Sequence, residues 1–161
     1  MNTIVYEERV EQWGIAEVIC YGPSDGNPFL EQSIKGRFRG KNETVIVDGF
    51  YDGDGLYKVR FMPSFPGHYT FSVEGSFLEK EVEGTFLVIP ASKGNHGPVR
   101  VAGTYHFAYE DGTPYYSIGT TCYVWELQND ERIAQTIESL EAARFNKIRF
   151  CIFPKHYDYN L

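Results

Sequence analysis

The chain has 161 residues, a net charge of −7 at pH 7, and 42% hydrophobic residues that include 12 Tyr and 12 Phe. That apolar content supports a packed core and argues against disorder, while the acidic balance argues against a nucleic-acid partner or an anionic membrane surface. Cys20, Cys122 and Cys151 are odd in number and form no CxxC pair, so neither a disulfide framework nor a zinc site is expected.

No run approaches the roughly 20 apolar residues of a membrane span. Residues 1–10 carry Glu7, Glu8 and Arg9 and lack the apolar stretch of a secretion signal, so the sequence reads as cytoplasmic with no membrane partner. Aromatic-rich acidic chains suit sugar binding, but aromatics also accumulate in β-rich cores.

Residues 13–20 form the first strand candidate, closed by the turn cluster Tyr21-Gly22-Pro23-Ser24-Asp25-Gly26-Asn27-Pro28. Residues 33–39 alternate up to Gly40, and 44–47 lead to Phe50 and Tyr51. After Asp52-Gly53-Asp54-Gly55, residues 56–62 set Tyr57, Val59 and Phe61 against Lys58 and Arg60, the pattern of a half-buried strand. Residues 68–73 and 82–89 add two more. About seven short strands spaced by turns predict an all-β, immunoglobulin-like sandwich over residues 1–92. Tyr69, just inside a strand after Pro66-Gly67, is placed like the tyrosine corner of such sandwiches.

Residues 90–98 are rich in Gly, Pro and polar side chains, and read as an exposed linker. Residues 93–161 then follow a different grammar. Residues 105–109 and 113–118 flank an Asp111-Gly112 hairpin signal. Asn129 can cap a helix whose first turn holds Asp130 and Glu131, with Ile133, Ile137 and Leu140 as its apolar stripe. Arg144 is expected in its last turn and Asn146 at a left-handed end position. Residues 147–153 are apolar apart from Lys147 and Arg149 and read as a strand covered on both faces. Together these make one β-α-β unit. A closed (β/α)8 barrel takes about 250 residues, so the expected architecture is a sandwich followed by the truncated start of an α/β barrel.

In their order and spacing, several segments resemble a family of glycoside hydrolases that join an immunoglobulin-like domain of unknown function to a (β/α)8 barrel. In the sandwich these are Asp48-Gly49-Phe50-Tyr51-Asp52-Gly53-Asp54-Gly55, Tyr57-Lys58-Val59-Arg60-Phe61 and Pro66-Gly67-His68-Tyr69. Beyond it they are Asn95-His96-Gly97-Pro98-Val99-Arg100-Val101, Asp111-Gly112-Thr113-Pro114-Tyr115-Tyr116, Gly119-Thr120-Thr121-Cys122-Tyr123-Val124-Trp125 and Phe145-Asn146-Lys147-Ile148-Arg149. The last is similar to the Phe-Asn-x-x-Arg motif of cellulase-like retaining glycosidases, except that Arg144 stands where a glycine is usual. The resemblance implies cleavage of poly- or oligosaccharide by a retaining two-carboxylate mechanism. It also implies that Arg149 supports the nucleophile and that both catalytic carboxylates lie beyond this chain.

Arg149 is a charge in an otherwise apolar strand, which needs a partner; its alternative role is a structural ion pair. Tyr123 and Trp125 follow the first barrel strand at the end where barrel sites form, so their rings are candidate sugar platforms, against a packing role. His156 is a candidate for hydrogen bonding a sugar hydroxyl, or else a surface histidine. Glu110, Asp111 and Glu126 are not spaced to force the pair about 5–5.5 Å apart that retaining hydrolysis needs. Asp48, Asp52 and Asp54 lack calcium-loop spacing, so no metal is expected. Without a phosphate loop or nucleophile elbow, no cofactor is expected either. The alternative to a hydrolase portion is a non-catalytic carbohydrate-binding or purely structural sandwich module.

Overall fold

A computed structural model describes residues 4–152. The alternation in the sequence appears there as buried and exposed faces. β1 (Ile4–Tyr6), β2 (Arg9–Glu11) and β3 (Ala16–Tyr21) open the chain. A one-turn helix α1 (Pro28–Glu31), β4 (Ile34–Arg39), β5 (Thr44–Asp48), β6 (Phe50–Tyr51), β7 (Leu56–Phe61), β8 (Gly67–Gly75) and β9 (Val82–Ile89) follow. They form a four-stranded sheet, β1-β3-β7-β6, and a five-stranded sheet, β2-β9-β8-β4-β5.

The inward residues of both sheets make one apolar core. Ala16, Val18, Cys20, Tyr57, Val59 and Phe61 come from the first sheet; Val10, Ile34, Phe38, Tyr69, Phe71, Val73, Phe86 and Val88 come from the second. This is a β-sandwich. Phe38 stacks on Phe61 from the other sheet at 4.7 Å between ring centroids. Each fully buried aromatic side chain contributes about 1.5–3 kcal/mol of hydrophobic stabilisation. Gly36 sits between Ile34 and Phe38 on the inward face, where a Cβ would come within 2.7 Å of Val59. The sheets close tightly there because that position has no side chain.

The structure departs from the sequence reading at three places in this part. Residues before Val10 form strands: β1 pairs with β3, and β2 then crosses to pair in parallel with β9. Trp13 is not in a strand. It adopts a left-handed φ of 62°, and Gly14 N–H donates to Glu11 O at 2.9 Å. The chain must turn there to pass from one sheet to the other, which overrides the strand preference of Trp13. The third is α1, unassigned from sequence, which begins at Pro28, where a fixed φ and a missing N–H are tolerated.

The chain divides into two compact units. One runs to Arg100 and takes in Tyr109–Thr113; the other comprises Val101–Ala108 and the residues from Pro114. The segment read as a linker is tied to the first unit. Asn95 Nδ2 donates to Gln12 O at 3.0 Å, and Gly97, at φ 76°, lies where a Cβ would meet the Trp13 indole at 2.7 Å. His96 Nδ1 lies 2.7 Å from Asp111 Oδ2, and Arg100 Nε donates to Glu110 Oε2 at 2.6 Å.

After β10 (Val99–Ala102), β11 (His106–Tyr109) and β12 (Pro114–Tyr115) pair antiparallel around the Asp-Gly turn. β13 (Gly119–Thr121), a 3-10 turn at Trp125–Leu127, α2 (Asp130–Ala142) and β14 (Lys147–Arg149) complete the described chain. β13 and β14 are parallel, with Gly119, Thr120 and Thr121 opposite Lys147, Ile148 and Arg149. Asn129 caps α2, its side chain accepting from Arg132 N–H at 2.9 Å. The helix ends earlier than the sequence reading has it. Ala143 is extended at φ −87°, so Arg144 lies past the last turn. Among the described residues, positive φ outside glycine occurs at Trp13 and Asp54, not at Asn146.

Candidate functional site

The second unit gathers three of the residues singled out from sequence at one end of its parallel strand pair. Asn146 holds the opposite end. Its Nδ2 donates to Tyr116 O at 2.8 Å, its Oδ1 accepts from Ile118 N–H at 2.9 Å, and its own N–H donates to Ile118 O at 2.9 Å. The side chain therefore completes the backbone pairing just before β13 and β14 begin. This task explains why Asn146 does not take the helix-ending conformation expected of it.

Beyond the C-terminal ends of the two strands the pairing continues. Cys122 N–H donates to Arg149 O at 2.9 Å, and Cys151 N–H to Tyr123 O at 3.0 Å. Tyr123 is thereby placed beside Arg149, whose guanidinium carbon lies 5.5 Å from the Tyr123 ring centroid. Tyr123 is 46% exposed, so its ring keeps a free surface. Trp125 is half-buried and meets Phe150 edge-on at 6.1 Å. Phe150 was not singled out from sequence; its contact follows from the parallel register, which has no local signature. His156 lies outside the described residues.

The turn that carries Trp125 also holds two polar atoms without partners among the described residues, Trp125 Nε1 and Glu126 Oε2, both covered from solvent. A buried donor or acceptor left unpaired costs about 1–3 kcal/mol. The two differ in kind, one a donor and the other an acceptor. The other carboxylates weighed from sequence have defined partners in the first unit. Asp111 binds His96 and accepts the Thr113 N–H at 2.9 Å, and Glu110 binds Arg100. Of the loop acids, Asp52 pairs with Lys58 at 2.5 Å, and Asp54 occupies a left-handed turn at φ 49°. Among the described residues no group of three or more His, Cys, Asp or Glu side chains is arranged to hold a metal ion.

Residues 9–76 match the family described as a domain of unknown function (DUF5060). The chain is 40% identical to the solved structure of a "putative glycoside hydrolase" from Bacteroides vulgatus, with a TM-score of 0.87. That match covers 94% of this chain and 30% of the other, so the chain spans less than a third of that relative's length. An endo-beta-1,4-mannanase from Thermotoga petrophila aligns at 18% identity and a TM-score of 0.35, over 58% of this chain and 20% of its own. A likeness that low bears on neither fold nor substrate. No curated protein matches the chain.

Proposed function

We propose that this chain is the N-terminal portion of a glycoside hydrolase. In this reading residues 1–92 form an immunoglobulin-like sandwich, and residues 93–161 open a cellulase-like (β/α)8 barrel. The observation that carries it is the parallel pair β13 and β14 joined by α2, with Tyr123, Trp125 and Arg149 gathered at the strands' C-terminal ends. Barrel active sites form at that end. The similarity to the Bacteroides vulgatus protein over 94% of the chain supports the same reading.

The apolar surface of the second unit fits an incomplete barrel. Ile118, Ile137, Phe145, Phe150 and Ile152 are each at least 41% exposed. Ile137 on the helix and the apolar residues flanking β13 and β14 therefore present surface that further β-α units would cover. In the whole enzyme Arg149 would hold the nucleophilic carboxylate ionised and oriented. Tyr123 and Trp125 would offer rings to the sugar, and His156 a hydrogen bond. The two catalytic carboxylates would come from later strands.

The test is to express the complete reading frame containing this chain and assay it on a panel of aryl glycosides and β-linked oligosaccharides. The product anomer is followed by NMR. Turnover with retention, lost on replacing two strand-end glutamates downstream of Leu161, is the expected result. Absence of turnover across the panel, or turnover by residues 1–161 alone, would overturn the proposal.

A further inference from the structure

On the outward face of the five-stranded sheet, β4, β8 and β9 frame a hollow of about 500 Å³. Its cause is a mismatch of side-chain length in register. Arg37 lies opposite Ser72, which lies opposite Glu83; Arg39 lies opposite Thr70, which lies opposite Thr85. Short hydroxyl side chains thus form the floor, two arginines form one wall, and Glu83 stands at the far side of the first row. The outward rim holds no aromatic ring, so stacking is not how this hollow would hold a ligand.

The two arginines are the cationic element of this hollow. Several cations elsewhere on the two sheets face acids. On the same sheet Lys35 stands between Asp48 and Glu74; on the other sheet Lys58 pairs with Asp52 and Arg60 with Glu17. Arg37 and Arg39 instead have Ile46 and Thr44 as their β5 neighbours, and neither forms an ion pair or side-chain hydrogen bond among the described residues. Two residues apart on one strand face, they lie ~7 Å from each other along the strand. Two like charges at that spacing favour an anion between them, and the guanidinium fork matches a carboxylate in particular.

We propose that this hollow binds a carboxylate-bearing glycan, a uronic-acid polymer or oligomer, through the outer face of the sandwich. Arg37 and Arg39 take the sugar carboxylates. Thr70, Ser72 and Thr85 exchange hydrogen bonds with ring hydroxyls, and Glu83 accepts from hydroxyls at the far side. A simple polyanion leaves the hydroxyl floor unused and offers Glu83 no hydroxyl to accept from. A neutral glycan leaves the arginines unpaired. The carboxylate part rests on the arginines alone, whereas the choice of a glycan over an acidic peptide rests on the proposed glycoside hydrolase reading. Turnover by the complete reading frame tests that reading separately.

The experiment is calorimetric titration of the 161-residue chain at about 0.15 M salt with four polymers of matched length. These are a free-acid uronic-acid polymer, its methyl ester, poly-L-glutamate and dextran sulfate. The free acid should bind, and each of the other three should bind about tenfold more weakly or worse, because charge-assisted contacts or the hydroxyl contacts are lost. The double variant Arg37→Gln/Arg39→Gln, with folding checked by near-ultraviolet circular dichroism, should lose about tenfold or more in affinity for the free acid. The same variant at Lys41 and Lys93, replaced by Gln, should not. The idea is overturned if the free acid fails to bind, if the ester, polyglutamate or dextran sulfate binds as tightly, or if the arginine variant binds as the parent does.

Discussion

The Tyr69 hydroxyl donates to Glu43 Oε1 at 2.5 Å, and the same oxygen accepts the Ser64 N–H at 2.8 Å. The pair clasps the turn after β4 to the loop before β8, with the Tyr69 ring 2% exposed against Phe61 and Phe86. Tyr69→Phe keeps the ring and removes the hydroxyl, so it should destabilise the chain by about 1–3 kcal/mol in urea titration. Burial, then the hydrogen bond to Glu43, raises the Tyr69 pKa above its ordinary value. A raised folded-state value means full stabilisation below the unfolded pKa of about 10 and loss as pH rises beyond it. The parent should lose Tm faster than Tyr69→Phe between about pH 10 and pH 11; parallel melting curves would show this contribution to be absent.

Every residue of the buried apolar core lies between Val10 and Val88. Residues 1–92 alone should therefore fold cooperatively, with a dispersed amide spectrum and a sharp thermal transition. A molten or aggregated 1–92 piece alongside a folded 1–100 piece would move the proposed boundary to the segment that Asn95 and Gly97 anchor.

Asn146 makes two side-chain hydrogen bonds to the backbone at residues 116 and 118. Asn146→Ala should strip both, with amide exchange at Ile118 and Cys122 accelerating at least tenfold while Val59 and Val73 keep their protection. Asn146→Asp keeps an acceptor for Ile118 and loses the donor to Tyr116, so it should fall between the two. Unchanged exchange at Ile118 in the alanine variant would show that the strand pair holds without the side chain.

Asp111 accepts hydrogen bonds from His96 and then from the Thr113 backbone, which hold its carboxyl below the usual carboxylate value. A depressed value means that its stabilisation of the hairpin loop is present above about pH 3.9 and disappears as pH falls through the lower folded-state value. The Thr113 amide shift should therefore titrate below about pH 3.9. It should lose that titration in Asp111→Asn. An inflection at the ordinary carboxylate value or above it would contradict the assigned bonds.

Arg149 touches the exposed Tyr123 ring in this chain, a contact worth about 0.5–1 kcal/mol. Arg149→Ala should thus barely change the Tm of residues 1–161. In the complete enzyme proposed above it should lower kcat by about 10²-fold, comparable to the loss of one preorganised electrostatic partner. Arg149→Lys should recover only part, since an ammonium lacks the planar fork. Near-normal kcat with lost thermal stability would identify Arg149 as a structural residue instead.

Local chemistry was enough to read most of the strands and the start of the long helix. Tyr57, Val59 and Phe61 alternate with Lys58 and Arg60 because successive strand residues point to opposite faces, and Asn129 sits where only a side-chain acceptor meets the first free N–H groups. The same alternation shows which residues of β4 face outward, but not that Arg37 stands beside Ser72 with Glu83 one strand further on. Nor did any local signal show that β2 would leave one sheet for the other, that Trp13 would turn left-handed, or that Phe150 would meet Trp125. Helix-ending propensity assigns Asn146 to a left-handed end position, whereas its side chain joins backbone some thirty residues away in sequence, at Tyr116 and Ile118. Those outcomes depend on sheet order and register, which are set by contacts between distant segments. A propensity that belongs to one residue carries no information about the strand that will stand next to it.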